Sequence, residues 1–162
     1  MSDDGADADL EQRRLAADSC IKTHVIAAMG TGLIPSVVLD AAAVAVIEVK
    51  MIRDLARLYH FPVPRRLVAY KLLISLASGL GMVYVANRMS TILKGVPLLG
   101  VALYVGAFSL AGGAAVYAVG KIFQRHYESG GTFLGGEPDV VRAHYRDAYR
   151  EGMLVLPGLF QS

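Results

Sequence analysis

Two apolar stretches in the middle of the chain decide the fold: LVAYKLLISLASGLGMVYVAN at 67–87 and GVPLLGVALYVGAFSLAGGAAVYAVG at 95–120. The first stretch contains one charged residue, Lys71, and the second contains none. A helix that crosses a bilayer needs about 20 mostly apolar residues. The first stretch meets this length and the second exceeds it. With their short polar link, the two stretches predict a helical hairpin that crosses a membrane.

Basic residues border this hairpin on both sides. Its outer flanks carry Arg65, Arg66, Lys121 and Arg125, and its link carries Arg88 and Lys94. Segments rich in Lys and Arg stay on the cytoplasmic side of a membrane. The outer flanks therefore predict that both termini are cytoplasmic, at a bacterial inner membrane, although the basic link weakens the asymmetry.

Two amphipathic helices are expected before the hairpin. Residues 10–31 carry apolar side chains at roughly helical spacing, and GTGLIPS at 30–36 then interrupts the pattern. Pro35 lacks an amide donor and disfavours a helical residue before it, so the first helix should end here. The second helix is expected over 37–59, where apolar residues recur at steps of three and four.

The remaining segments complete an all-α, single-domain organisation. A glycine-rich loop at 128–138 precedes a short charged helix at 139–152. The acidic residues 1–9 are expected to be a disordered tail, because they lack apolar residues to bury. The helical domain is thus predicted to span 10–152, and residues 153–162 to form a C-terminal tail.

Composition and motifs argue against an enzyme. Of the 162 residues, 54% are hydrophobic and 19% charged, and the net charge of +2 provides no basic field for nucleic acid. Cys20 is the only cysteine, the four histidines are dispersed, and HExxH and GxSxG are absent. The nearest match to a phosphate-binding loop, at 113–122, has the wrong glycine spacing. We therefore expect no catalytic residue, no cofactor and no metal ligand.

Two charged residues in apolar surroundings are candidates for a special role. Asp40 falls on the apolar stripe of the second helix, where an unpaired carboxylate is costly. The amides of the first turn after Pro35 would stabilise it, and a buried pair with Lys71 is the alternative. Lys71 itself is close enough to the hairpin end for its side chain to reach the headgroups.

Small residues line the predicted hairpin. Ser75 and Gly79 are four residues apart, and Ala107, Ala111 and Ala115 follow the same step. Such faces allow helices to approach closely inside lipid. The pattern predicts packing within the hairpin, or alternatively a homo-oligomer.

The order of several short motifs resembles the DUF697 family. The matching pieces are GLIPSVVLD at 32–40, VKMIRDLARLY at 49–59, KGVPLLG at 94–100 and AVGKIFQRHYESGGTF at 118–133. Within these motifs lie Pro35, Pro97, Gly100 and Gly120, which are candidates for structural or interaction roles. The resemblance implies a membrane helical domain that works beside an Era-like GTPase, and it implies no catalytic residues. These 162 residues contain no GTPase domain, so such a partner is expected in trans.

The sequence thus favours a non-catalytic membrane domain that anchors or scaffolds a partner. Its expected partners are the lipid bilayer, a GTPase in trans and further copies of itself. One alternative is a soluble helical interaction bundle, in which the helices at 10–31 and 37–59 wrap the apolar hairpin. A component of a small pore or transporter is the less favoured alternative.

Overall fold

The computed structural model describes residues 3–31, 37–62 and 97–160, which form four α-helices and no strand. The helices are α1 (Asp3–Thr31), α2 (Val37–Leu58), α3 (Pro97–Glu128) and α4 (Pro138–Val155). Single 3-10 turns occupy Phe133–Gly135 and Leu156–Phe160. The predicted all-α class is confirmed over this part of the chain. The first arm of the predicted hairpin, 67–87, lies outside the described residues.

Helix α3 is the centre of the fold, because α1, α2 and α4 all pack against it. Each helix contributes apolar side chains at steps of three and four residues, so that one face of each is buried. The largest fully buried apolar side chains of this core are Ile21 and Val25 of α1, Met51, Ile52 and Leu55 of α2, Val116 of α3, and Leu156.

Glycines allow α1 and α3 to approach closely. A Cβ atom at Gly120 would lie 2.7 Å from Cγ1 of Ile21, and one at Gly113 would lie 2.6 Å from Cγ of Met29. Both separations are shorter than carbon atoms tolerate without a shift of one partner. Gly113 and Gly120 therefore allow the close packing of α1 on α3.

The helices α1 and α3 run antiparallel. Arg14 pairs with Glu128 at one end of their contact, and Ala28 faces Gly112 at the other. Helix α1 ends only three residues later, at Thr31. Helix α3 extends from Gly112 to Pro97 over 15 further residues, which is about 22 Å at helical rise.

The start of α2 extends past α1 in the same direction. His24 of α1 lies beside Lys50 and Asp54 of α2, so the antiparallel pairing brings Thr31 level with about residue 45. The bundle therefore has what we call the apolar end, formed by residues 37–43 of α2 and 97–111 of α3. These segments read VVLDAAA and PLLGVALYVGAFSLA, with Asp40 as their one charge.

The chain termini add to the sequence prediction. Residues 1–9 were expected to form a disordered tail, and α1 begins at Asp3. Acidic residues near a helix N-terminus are favoured by the helix dipole, and Asp9 also pairs with Arg13 one turn later, at 2.6 Å. At the other end, Leu156 of the expected C-terminal tail is 1% exposed. Its side chain meets α3 beside Gly113, so apolar burial fixes this segment.

The second apolar stretch also differs from its prediction over part of its length. Lipid was expected to cover all of 95–120. Residues 112–116 and 118–120 are instead buried by the protein, chiefly by α1 and α4. Helix α3 continues without a break past this stretch to Glu128.

Candidate functional site

Four polar side chains meet at the seam between α1 and α2, and we call them the α1–α2 polar cluster: Cys20, His24, Lys50 and Asp54. The Lys50 ammonium donates to Asp54 Oδ2 at 2.8 Å and lies 3.5 Å from His24 Nε2. His24 Nε2 is also 3.5 Å from Asp54 Oδ2. One donor atom each from Cys20, His24 and Asp54 lies within 4.8 Å of the other two.

Simple helical spacing assembles this cluster. Cys20 and His24 are four residues apart on α1, and Lys50 and Asp54 are four apart on α2, so each pair shares one helix face. On both helices the pair borders the buried stripe. The hydrophobic packing of α1 on α2 therefore brings two polar pairs together at the edge of the core.

The histidine is held in a defined orientation. His24 is 8% exposed, and its Nδ1 lies 2.9 Å from the carbonyl oxygen of Cys20. A carbonyl can only accept a hydrogen bond, so Nδ1 carries the proton. The nitrogen left to act as a ligand is then Nε2, which faces Asp54 and Lys50. This orientation is common among metal-binding histidines, whose second nitrogen donates to a backbone carbonyl.

The thiol of the cluster is not arranged as a nucleophile. Burial raises the pKa of Cys20, and the nearby Asp54 carboxylate raises it further, while Lys50 lowers it. Its sulfur lies 3.8 Å from His24 Nδ1. Because that nitrogen already carries a proton, it cannot accept one from the thiol. A cysteine–histidine catalytic pair requires the opposite arrangement.

Glu128 organises a second polar site where α1, α2 and α3 meet. Its Oε1 accepts from Tyr59 Oη at 3.0 Å, from Arg14 Nε at 3.2 Å and from Gln124 Nε2 at 3.4 Å. Burial, followed by the Glu128 hydrogen bond, raises the pKa of Tyr59 to about 12. The site joins three helices and stabilises the bundle at the end opposite the apolar end.

The residues that the sequence singled out are distributed unevenly. Pro35, Lys71 and Gly79 lie outside the described ranges, and so does the proposed Asp40–Lys71 pair. Asp40 lies in α2, where the structure describes its backbone but not its side chain. Pro97 and Gly100 lie in the first turns of α3, and Gly120 contacts Ile21.

The α1–α2 polar cluster was missed by sequence reasoning. The four-residue step from Cys20 to His24 was visible, but its partner Asp54 lies 30 residues further along the chain. Only the pairing of α1 with α2 brings Asp54 to the other two.

The fold and its sites define an all-helical bundle domain with polar seams and one apolar end. Residues 2–150 match the family described as "Domain of unknown function (DUF697)". The chain belongs to this family.

One relative extends the comparison. The chain is 34% identical over 145 residues to "Magnetosome membrane protein 22" of Magnetospirillum gryphiswaldense. The matched region covers 86% of this chain and 72% of the relative. No solved structure matches the chain. Among the helices in the described ranges, none combines the length and the apolar character that crossing a membrane demands.

Proposed function

We propose that this protein is a non-catalytic, membrane-associated helical domain that anchors or scaffolds a partner at a bilayer. In this proposal the apolar end enters the membrane together with the stretch 67–87. The charged bundle of α1, α4 and the C-terminal part of α3 remains outside and binds the partner.

The apolar end is the observation that carries the proposal. Helix α3 continues for 15 residues beyond its contact with Ala28 without a charged residue. These residues extend about 22 Å, compared with a hydrocarbon core of about 30 Å. An uncharged helical segment of this length is more stable in lipid than in water.

The comparisons support the same proposal. The relative is named as a magnetosome membrane protein. The family resemblance adds an Era-like GTPase as the partner that this domain would hold in trans. The charged surface of α4, where Arg142 pairs with Asp139 and Arg150 with Asp147, is well suited to a polar partner.

The packing also supports an orientation. Helices α1 and α4 both contact the same part of α3, near Gly113. If the apolar end enters the bilayer, the first and last helices lie on one side of it. The positive-inside rule makes that side the cytoplasm.

Extraction of membranes with alkaline carbonate tests the proposal. We expect the wild-type chain to stay in the membrane pellet. The variant Gly106→Asp should move toward the supernatant, because a carboxylate inside the bilayer costs about 3 kcal/mol. Gly106 is exposed, and its missing Cβ would meet no described atom within 4 Å, so the charge is tolerated by the fold itself.

Leu154→Asp is the matched control. Leu154 is 82% exposed on α4, outside the apolar end, so this variant should remain in the pellet with the wild type. Recovery of wild-type protein in the supernatant would contradict the proposal and favour the soluble interaction bundle.

A further inference from the structure

The α1–α2 polar cluster brings together three kinds of metal ligand. Cys20 offers a thiol sulfur, His24 an imidazole nitrogen and Asp54 a carboxylate oxygen, with one donor atom of each within 4.8 Å of the others. We propose that these three residues form a binding site for a divalent transition-metal ion of the zinc class, with a fourth position open to water. This inference goes beyond the proposed anchor function and does not depend on it.

The donor set matches the chemistry of zinc. Zinc binds cysteine sulfur at about 2.3 Å and histidine nitrogen and carboxylate oxygen at about 2.0–2.2 Å, in tetrahedral geometry. That geometry places neighbouring donors about 3.5 Å apart. Asp54 Oδ2 and His24 Nε2 already lie at 3.5 Å. The Cys20 sulfur lies within 4.8 Å of the other two donor atoms, and a change of the Cys20 side-chain torsion can bring it closer.

His24 is preorganised as a ligand. More than nine-tenths of the residue is buried, and the carbonyl of Cys20 holds the proton at Nδ1. Nε2 consequently faces the Asp54 carboxylate, 3.5 Å from Oδ2, so a cation placed between them would contact both atoms.

Lys50 provides that cation in the described structure. Its ammonium lies 2.8 Å from Asp54 Oδ2 and 3.5 Å from His24 Nε2. The Lys50 side chain is 69% exposed, so it can move into water when a metal ion takes its place. Arg57 contacts the other carboxylate oxygen, Oδ1, at 3.3 Å, and it can stay there as a partner that orients Asp54.

Binding must release a proton. Only a thiolate is a strong zinc ligand. When the ion binds, the Cys20 S–H bond is replaced by a sulfur–metal bond, and the proton passes to solvent. The balance is one proton released from the thiol for each ion bound.

Cobalt(II) titration of the purified 162-residue chain, freed of metal by a chelator, tests the site. We expect a thiolate-to-cobalt charge-transfer band that saturates at one ion per chain and disappears when Zn²⁺ is added. Cys20→Ser should abolish the band. Asp54→Asn should weaken Zn²⁺ binding by about 100-fold or more, exceeding the usual effect of residues that only orient a ligand. The control His60→Asn changes an exposed histidine outside the cluster and should leave binding unchanged.

Lys50→Gln provides a test that does not require damage to the site. Removal of the competing ammonium should tighten Zn²⁺ binding by about fivefold, comparable with an exposed ion pair. The proposal would be overturned if the wild-type chain gave no charge-transfer band, or if Zn²⁺ bound equally well to the wild type, Cys20→Ser and Asp54→Asn. Binding that Lys50→Gln left unchanged or weakened would contradict the assigned position of the ion. Since none of these readouts involves lipid, failure here leaves the carbonate experiment independent.

Discussion

The two parts of helix α3 have similar sequences but different surroundings. Residues 97–111 and 112–120 are both uncharged and rich in glycine and alanine. The second part is buried against α1 and α4, whereas the first continues past the end of α1. The composition of an apolar helix therefore does not show whether other helices of the chain bury it. That depends on how far the neighbouring helices extend along it.

Glycine substitutions should separate the two parts most strongly. Gly120→Leu should lower the free energy of unfolding by about 2–3 kcal/mol, because its added atoms collide with Ile21 in a filled core. The matched variant Gly106→Leu removes a helix glycine where no described atom lies within 4 Å. It should raise stability by up to about 0.8 kcal/mol.

Chemical denaturation of both variants, followed by circular dichroism, provides the measurement. Equal destabilisation by the two leucines would mean that the N-terminal part of α3 is packed against protein as tightly as the C-terminal part.

The polar site around Glu128, at the end of the bundle opposite the apolar end, should show the next largest effect of a substitution. Glu128→Gln removes the negative charge that accepts from Arg14, Tyr59 and Gln124. Hydrogen bonds to charged groups are worth about 1.5–3 kcal/mol, and some are retained by the amide, so a loss of about 1–2 kcal/mol is expected. A melting temperature within experimental error of the wild type would show that this site does not hold the three helices together.

Alkaline pH should lower the free energy of unfolding through two buried tyrosines, of which Tyr59 belongs to the Glu128 site. Burial raises the pKa of both Tyr59 and Tyr127 to about 12, compared with 10.0 for an unperturbed tyrosine. The folded state therefore favours the neutral phenols. Their contribution is full below pH 10 and is lost as the pH rises from about 10 to 12. Urea midpoints measured across this range should fall, and Tyr59→Phe should make the fall shallower. A flat profile would contradict this expectation.

The smallest effect is expected at the ion pair between Asp18 and Lys121. Their atoms are 2.7 Å apart, but the side chains are 51% and 26% exposed. Exposed pairs contribute about 0.2–1 kcal/mol. A double-mutant cycle with Asp18→Asn and Lys121→Gln should give a coupling energy in this range, and a coupling above about 2 kcal/mol would mean that the pair is a major link.

Local features of the fold could be predicted from the sequence. The apolar stripe of α2 predicted a helix over 37–59, and the helix occupies Val37–Leu58. The expected 139–152 helix is Pro138–Val155. These predictions depend on periodicity within one segment, which a sequence displays directly.

Features that depend on contacts between segments were missed. Nothing near Leu156 indicates that it fills a space beside Gly113, and nothing near Cys20 and His24 indicates that Asp54 faces them. Both contacts follow from how the helices pair, which the spacing of residues within one helix does not determine. The start of α1 at Asp3 has no apolar periodicity to indicate a helix, since acidic residues near a helix N-terminus act through the helix dipole rather than through burial.

Fluorescence quenching by lipid tests the division of α3 most directly. In a Cys20→Ser background, Gly106→Cys and Leu154→Cys each receive a polarity-sensitive fluorophore, and the protein is reconstituted into vesicles whose acyl chains carry nitroxide labels. We expect strong quenching at position 106 and little at position 154. Equal quenching at both positions, or none at position 106, would contradict the assignment of the apolar end to the bilayer.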